Sequence, residues 1–374
     1  MRQAHRAPDL TWARLDSVRQ LAVRNNNFFV LGQTYLHMAQ LDINRNRQRA
    51  LFGQRALRWA EKSHDLLREH GTPYWEAHSL LLRMGLQTAQ LYQPDSSLRQ
   101  QSLATLHADI QQARALQART EDPALARFIE GRLAQIQGNM LSKLYWKNTD
   151  SLRQSLVYLQ TAEETFEELA LSRDRAIAAR QQGKALGDLA RTLRGKASRT
   201  ELDSLTQAAR LHLTFAAGYF EGEGDRLSLH FVHSIQADLE SLAFSAMGDT
   251  SLFPRARGLY HRLLADTSSA LRGLHLFRLG LHYHTLAFYT RVVATQQMAL
   301  DSAHLLYEQA GYQALIDTDL RLLNVVQENW RQICPYVDEC ASLGRLSRAA
   351  ADPLAHQAAA IEAEILSQLG QDDL

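Results

Sequence analysis

A small residue recurs inside every second helical segment of this chain, at Gly32, Gly85, Gly138, Gly183, Ser234 and Gly280, with spacings of 53, 53, 45, 51 and 46 residues. A glycine within a helix costs ~1 kcal/mol against alanine. A repeated glycine therefore needs a repeated cause, and close approach of a neighbouring helix supplies one. The intervening segments carry alanines at matching places: Ala56 and Ala60, Ala104 and Ala108, Ala162, Ala208 and Ala209, Ala256, Ala299 and Ala303. A fixed period of this length is the mark of a repeat architecture, in which each unit covers the apolar face of the next.

The segments between these positions are helical. Breaks such as Asn25-Asn26-Asn27, Gly71-Thr72-Pro73, Glu121-Asp122-Pro123, Asn148-Thr149-Asp150, Gly195–Ser198, Glu221–Gly224 and Asp352-Pro353 leave stretches of roughly 16–25 residues, which is helix length rather than strand length. Only 7 prolines and 19 glycines occur in 374 residues, too few for the frequent turns of a β protein. Within segments the apolar residues step by three or four, as in Leu152, Leu156, Leu159, Ala162, Phe166 and Leu169. Thr72 and Asp122, each before a proline, are expected N-caps, as are Asp150 and Asp249. The segment from Leu271 to Tyr289 is apolar nearly all round and is expected to be buried. The expected layout is a first helix at about 9–24 and hairpins at 27–70, 73–118, 123–169, 172–218, 225–265 and 269–310.

Taken together, Leu31-Gly32 with Tyr35, Leu279-Gly280 with Tyr283, the string Ala299–Ala303 and the exit Leu306–Gly311 resemble the tetratricopeptide repeat. In that family helix A has a small residue followed by an aromatic one a turn later, and helix B has a central alanine. Gly85 departs from the pattern, with Thr88 where the aromatic residue belongs, and the period of about 50 departs from the family's 34. HEAT and armadillo repeats lie near it on period. The resemblance implies an all-α fold: a right-handed α-solenoid of antiparallel helical hairpins over 1–311, with C-terminal capping helices over 312–374. It also implies a surface that takes an extended peptide or partner helix.

Composition narrows function further. The 41 basic and 40 acidic residues leave a net charge of +1, which gives no global pull toward nucleic acid or membrane. No run of ~18 apolar residues is present. Met1–Pro8 is basic but is followed by no apolar stretch, so a cytoplasmic protein is expected, although a processed exported form reads the same way. No P-loop, Gly-x-Gly-x-x-Gly, Gly-x-Ser-x-Gly or His-Glu-x-x-His occurs, so no catalysis, cofactor or metal is expected. Among the fifteen histidines, His230 with His233 and His275 with His282 share helix faces, but no acidic or cysteine ligand stands at metal spacing. Packing or solvated roles are expected of them. Cys334 and Cys340, five residues apart, are expected to be free thiols. The acidic pairs Glu163-Glu164 and Glu167-Glu168 read as a solvated face. Of each adjacent aromatic pair (Tyr74-Trp75, Tyr145-Trp146, Tyr219-Phe220, Phe288-Tyr289), one member is expected in the core.

The strongest local charge feature is Arg173 to Arg199, with eight basic against two acidic residues. Arg45, Arg47, Arg49, Arg55 and Arg58 form a second basic group. Either is expected to be an ordinary solvated face offset by acidic neighbours, with an acidic protein partner, and then nucleic acid, as alternatives. The leading expectation is a protein–protein interaction or regulatory module, and a ligand- or peptide-sensing module of a bacterial signalling system is the second. Partner-contact residues expected from polarity and repeat position are Asn26, Asn27, Gln33, His37, Gln87, Gln90, Asn139, Lys143, Arg173, Arg180, Lys184, Gln236, His282 and His284.

Overall fold

A computed structural model describes residues 8–46, 54–91, 96–247, 250–265, 272–316 and 320–336. The described residues are all-α, with no strand among them. The chain divides into two compact units, Met1–Arg226 and Leu227–Leu374. The first holds α1 (Pro8–Arg24), α2 (Phe28–Asn46), α3 (Gln54–His70), α4 (Pro73–Gln90), α5 (Ser96–Arg119), α6 (Pro123–Leu144), α7 (Thr149–Glu168), α8 (Ser172–Leu193) and α9 (Arg199–Gly222). The second holds α10 (Arg226–Met247), α11 (Phe253–Ala265), α12 (Arg272–Tyr289), α13 (Val293–Ile316) and α14 (Leu320–Ile333). The hairpins expected from the sequence match these elements closely. The expected division at 311/312 falls inside α13, and residues 337–374 of the expected cap lie outside the described residues.

Helix starts follow from cap chemistry. Asp122 accepts hydrogen bonds from the backbone N–H groups of Ala124 and Leu125, satisfying donors that have no partner within the helix. Thr72 precedes Pro73 as expected but makes no side-chain cap bond. The cap of α7 is Asn148, not Asp150. Asn148 Oδ1 accepts from Ser151 N–H at 2.9 Å, and Asp150 sits in the first turn, where a carboxylate suits the helix dipole. Asp249 lies outside the described residues. The Gly-rich Glu221–Gly224 stretch is the exit of α9: Gly224 takes φ +65°, and Asp225 N–H donates back to Phe220 O at 2.9 Å.

Within each unit, helices pack on their chain neighbours, α10 on α11 through Ala237, Ala256 and Tyr260, and first helices of successive hairpins also touch: α4 on α6, α6 on α8, and α12 on α14. This is the connectivity of a helical repeat, with each hairpin buried between two others. The recurring small residues lie at the closest approach within hairpins. A Cβ on Gly32 would lie 2.8 Å from Leu67 Cγ, on Gly138 2.7 Å from Leu159 Cγ, on Gly183 2.6 Å from Leu213 Cγ, and on Gly280 2.9 Å from Tyr307 Cδ1. In each case the facing residue is preceded, four positions earlier, by a small one: Ser63, Ser155, Ala209 or Ala303. Two of these add a polar tie, Ser63 Oγ–H to Gly32 O at 2.9 Å and Ser155 Oγ–H to Gly138 O at 2.7 Å. Gly85 does not share the role. A Cβ there meets nothing within 4 Å, because the residue turns to solvent.

Buried polar side chains knit neighbouring hairpins. His64 meets Ser79 Oγ at 3.3 Å through Nδ1 and Gln112 Nε2 at 2.9 Å through Nε2, linking α3, α4 and α5. Arg83 on α4 makes a bidentate pair with the buried Asp109 of α5, at 2.9 and 2.6 Å. As expected, α12 is largely buried, with Leu276, Phe277, Leu279 and Leu286 in the core of the second unit.

Candidate partner-binding face

The expected contact residues separate by where packing puts them. Asn26 and Asn27 form the turn between α1 and α2. Asn26 has φ +50°, the left-handed conformation of a helix exit, and Asn27 Oδ1 accepts from Val30 N–H at 3.1 Å. Both act at helix ends. His37 is exposed on α2, with Gln33 half-buried a turn before it. Gln90 is half-buried and accepts from Ser102 Oγ at 3.2 Å. Gln236 is half-buried on α10, in the second unit.

Three of the expected contacts are corrected to core. Gln87 is buried and hydrogen-bonds to Asp109. His282 is fully buried and stacked on Phe253 with ring centroids 4.4 Å apart. Its Nδ1 meets Ser241 Oγ at 2.9 Å and its Nε2 meets Phe253 O at 3.0 Å. A carbonyl only accepts, so Nε2 carries the proton and Nδ1 accepts from the serine. Burial, ahead of the bond to Phe253 O and the Arg257 charge, sets its pKa at about 4. His284 is buried with Nδ1 3.2 Å from Tyr307 Oη. The two histidines are thus satisfied by Ser241, Phe253 O and Tyr307 rather than by an incoming ligand.

Much of the basic segment is paired, within α8, with the exit of α9 and with α7. Arg173 meets Asp225 at 2.7 Å, Arg175 meets Glu167 at 2.6 Å, and Asp188 takes both Lys184 at 2.5 Å and Arg191 at 2.6 Å. In the second basic group, Arg55 pairs with the buried Asp42 and lies over the Trp12 ring; Arg47 and Arg49 lie outside the described residues. Glu163 is not simply solvated. It accepts from Gln182 Nε2 at 2.6 Å and stands 3.2 Å from His212 Nδ1, tying α7 to α8 and α9.

Several of the expected contacts lie together on α6 and α8. Lys143, in the last turn of α6, donates from Nζ to Thr88 O of α4 at 3.1 Å. Its pKa is lowered to about 7, first by burial and then by the charges of Lys184 and Arg180 on α8. Asn139, one turn earlier, is half-buried. Beyond Lys143, Tyr145 and Trp146 are both exposed, contrary to the expectation that one would be core. Tyr145 is the C-cap of α6, with φ −125° and ψ 35°, so the helical argument for burying one of an adjacent pair stops applying there. Lys147 Nζ lies 4.8 Å from the Trp146 ring centre, and Thr192 Oγ1 of α8 donates to Trp146 O at 3.2 Å. The break at Asn148-Thr149-Asp150 was the sequence signal for this. Of the expected contacts, then, the fold brings Asn139, Lys143, Arg180 and Lys184 together and scatters the rest. At the other end of the same helices, the His78 ring stacks on Phe128 at 4.9 Å, and Arg132 pairs with Asp174 at 2.5 Å, fixing α4, α6 and α8 side by side.

An open groove of about 510 Å³ between α5 and α6 is lined by His107, Gln111, Arg114, Gln137 and Met140. His230 Nε2 and His275 Nε2 lie 2.8 Å apart, and no group of three or more metal-ligating side chains exists among the described residues. Cys334 is disulfide-bonded, against the expectation of a free thiol; Cys340 lies outside the described residues. No helix among the described residues is long and apolar enough to cross a membrane.

No protein-family model and no curated protein matches this sequence. One solved structure, a "Circular tandem repeat protein with novel repeat topology and enhanced subunit contact surfaces", is similar at 15% identity over 92% of each chain, with a TM-score of 0.27. At that score the two do not define a common fold, and the helical-hairpin architecture rests on this chain's own packing.

Proposed function

We propose that this chain is a non-catalytic, tetratricopeptide-like interaction module that binds an acidic segment of a protein partner on the α6–α8 face of its first unit. Lys143 and Arg180, with Lys184 exchanging Asp188 for the partner, contact the partner's carboxylates, and the exposed rings of Tyr145 and Trp146 pack on its apolar side chains. The observation that carries this reading is the grouping of three cations from adjacent hairpins, in which Lys184 and Arg180 add to the burial that already lowers the pKa of Lys143. A carboxylate placed among them offsets their repulsion and restores the charge of Lys143. Binding therefore takes up a proton near neutral pH and weakens as pH rises above about 7. The module uses no cofactor.

The test is capture from a lysate of the source cell on immobilised wild-type chain and on Lys143→Glu/Lys184→Glu, with nuclease present and retained proteins identified by mass spectrometry. A stoichiometric partner held by the wild type and lost by the variant supports the reading. The same set of proteins on both, or none on either, overturns it.

A further inference from the structure

The helix α13 is apolar on two opposite sides. Inward, Ala299, Ala303, Tyr307, Ala310 and Ala314 are buried in the core of the second unit. Outward, Met298, Leu305, Tyr312 and Ile316 are 50%, 53%, 48% and 75% exposed. Positions 298, 301, 305, 309, 312 and 316 are all exposed and step by three or four, so they form one stripe along the helix, with Asp301 and Gln309 as its polar members. Other second helices of hairpins carry fewer apolar residues there: α9 exposes Leu211 at 65% and Phe215 at 38%, the latter under the Arg175 guanidinium. The outward row of α3 is Arg58, Lys62 and Asp65, and that of α7 is Arg153, Val157, Gln160 and Glu164. Against that background the apolar row on α13 is a surface built to be covered.

Its order identifies what covers it. Laid antiparallel on itself about Leu305, the stripe sets Met298 against Tyr312, Asp301 against Gln309, Leu305 against Leu305, and Ile316 against Ala294, next to the exposed Val293. No two carboxylates oppose each other, since Glu308 falls opposite Ser302. Asp301 Oδ1 already accepts from Gln297 Nε2 at 2.9 Å within its own helix, and its second oxygen is placed to accept the Gln309 amide of the second copy. Such a polar pair in an apolar seam fixes register. A net charge of +1 puts little repulsion between copies.

We infer that α13 is a homodimer seam, with its outward stripe pairing antiparallel with the same stripe on a second copy of this chain. From Met298 to Ile316 the seam runs ~27 Å at 1.5 Å per residue. One helix a side places it at the small end of specific interfaces, so the dimer is reversible, with a dissociation constant of micromolar order.

Sedimentation of the full chain over ~1–100 µM tests this. The wild type is expected to shift with concentration from 42.3 kDa toward twice that mass. Leu305→Asp changes an exposed side chain, keeps its circular dichroism spectrum, and stays monomeric. Gln309→Lys, opposite Asp301, tightens the dimer by about fivefold, and Gln309→Asp loosens it by about tenfold. Leu305→Cys, on the two-fold axis, gives a disulfide-linked dimer on mild oxidation. A wild type that remains monomeric at ~100 µM, a dimer that survives Leu305→Asp, or a Leu305→Cys chain that does not cross-link overturns the inference, whatever other protein binds the stripe.

Discussion

Replacing Gly138 and Gly85 by alanine separates two uses of the same residue. In an open helix interior the change gains ~1 kcal/mol of helix propensity. Gly85 is such a place, with nothing within 4 Å of an added Cβ, so Gly85→Ala is expected to stabilise by up to ~1 kcal/mol. At Gly138 the new carbon would stand 2.7 Å from Leu159 Cγ and 2.9 Å from the backbone oxygen of Ser155. Carbon atoms pack at ~3.5–4.0 Å. Leu159 is fully buried and a backbone oxygen has no rotamer, so α7 must back away from α6. Overpacking of this kind costs ~1–3 kcal/mol. The retreat also stretches the 2.7 Å bond from Ser155 Oγ to Gly138 O, worth ~1 kcal/mol. After the propensity gain, Gly138→Ala is expected to destabilise by ~1–3 kcal/mol. Both sites lie in the first unit, so one urea transition followed by circular dichroism reports on each. A Gly138→Ala chain as stable as Gly85→Ala would refute close helix approach as the reason for the repeated glycine.

Three further outcomes follow from buried polar groups. Arg83→Met leaves Asp109 buried and without its guanidinium partner, and is expected to cost ~3–5 kcal/mol, most of it recovered in Arg83→Met/Asp109→Leu, as read by urea unfolding. Burial lowers His64 and His282 to about 4 and His275 to about 3, from 6.5. The unfolded chain therefore binds more protons between those values; stability is full above 6.5 and falls as pH drops toward 4, by ~3 kcal/mol for each group, and His282→Gln removes its share of that slope. Lys143, with a pKa of about 7, is expected to show an acylation rate whose pH midpoint lies near 7, and Lys184→Met moves that midpoint up; position-resolved labelling rates by mass spectrometry decide.

Hairpin boundaries were legible because the punctuation is local. Asp122-Pro123 and Asn148 act on the next three residues, and a sequence shows all of them. The close-approach glycines were legible at 32, 138, 183 and 280 because the facing Leu or Tyr lies on the adjacent helix. Gly85 was not distinguishable, since spacing along the chain does not say which side of a helix turns outward. Charge was the least legible property. The partners of Arg173, Arg175 and Glu163 come from outside their own helices, 52 residues away for Asp225, so a net charge counted over one segment measured only half of each of these pairs. His282 had a usable signal: Leu279 and Leu286 flank it on a helix apolar nearly all round, and that pattern outranked its polarity.

The same logic separates the two surfaces. A helix in a hairpin stack commits one face to its hairpin mate and another to the next hairpin, and a third side faces outward. On α6 and α8 that side is cationic with aromatic ends; on α13 it is apolar and self-complementary. The first favours many acidic segments weakly, and the second favours one shape, its own. If both act, pairing through α13 doubles the Lys143 sites on one particle. A partner carrying two acidic segments then gains avidity of ~10²–10⁴ when its linker spans both sites. Leu305→Asp is expected to abolish that gain and to leave single-segment affinity unchanged, whereas Lys143→Glu lowers both. Titrating single- and double-segment Glu-rich peptides against the two variants by fluorescence anisotropy distinguishes them: equal losses for both peptides in Leu305→Asp would mean that the two faces are not independent.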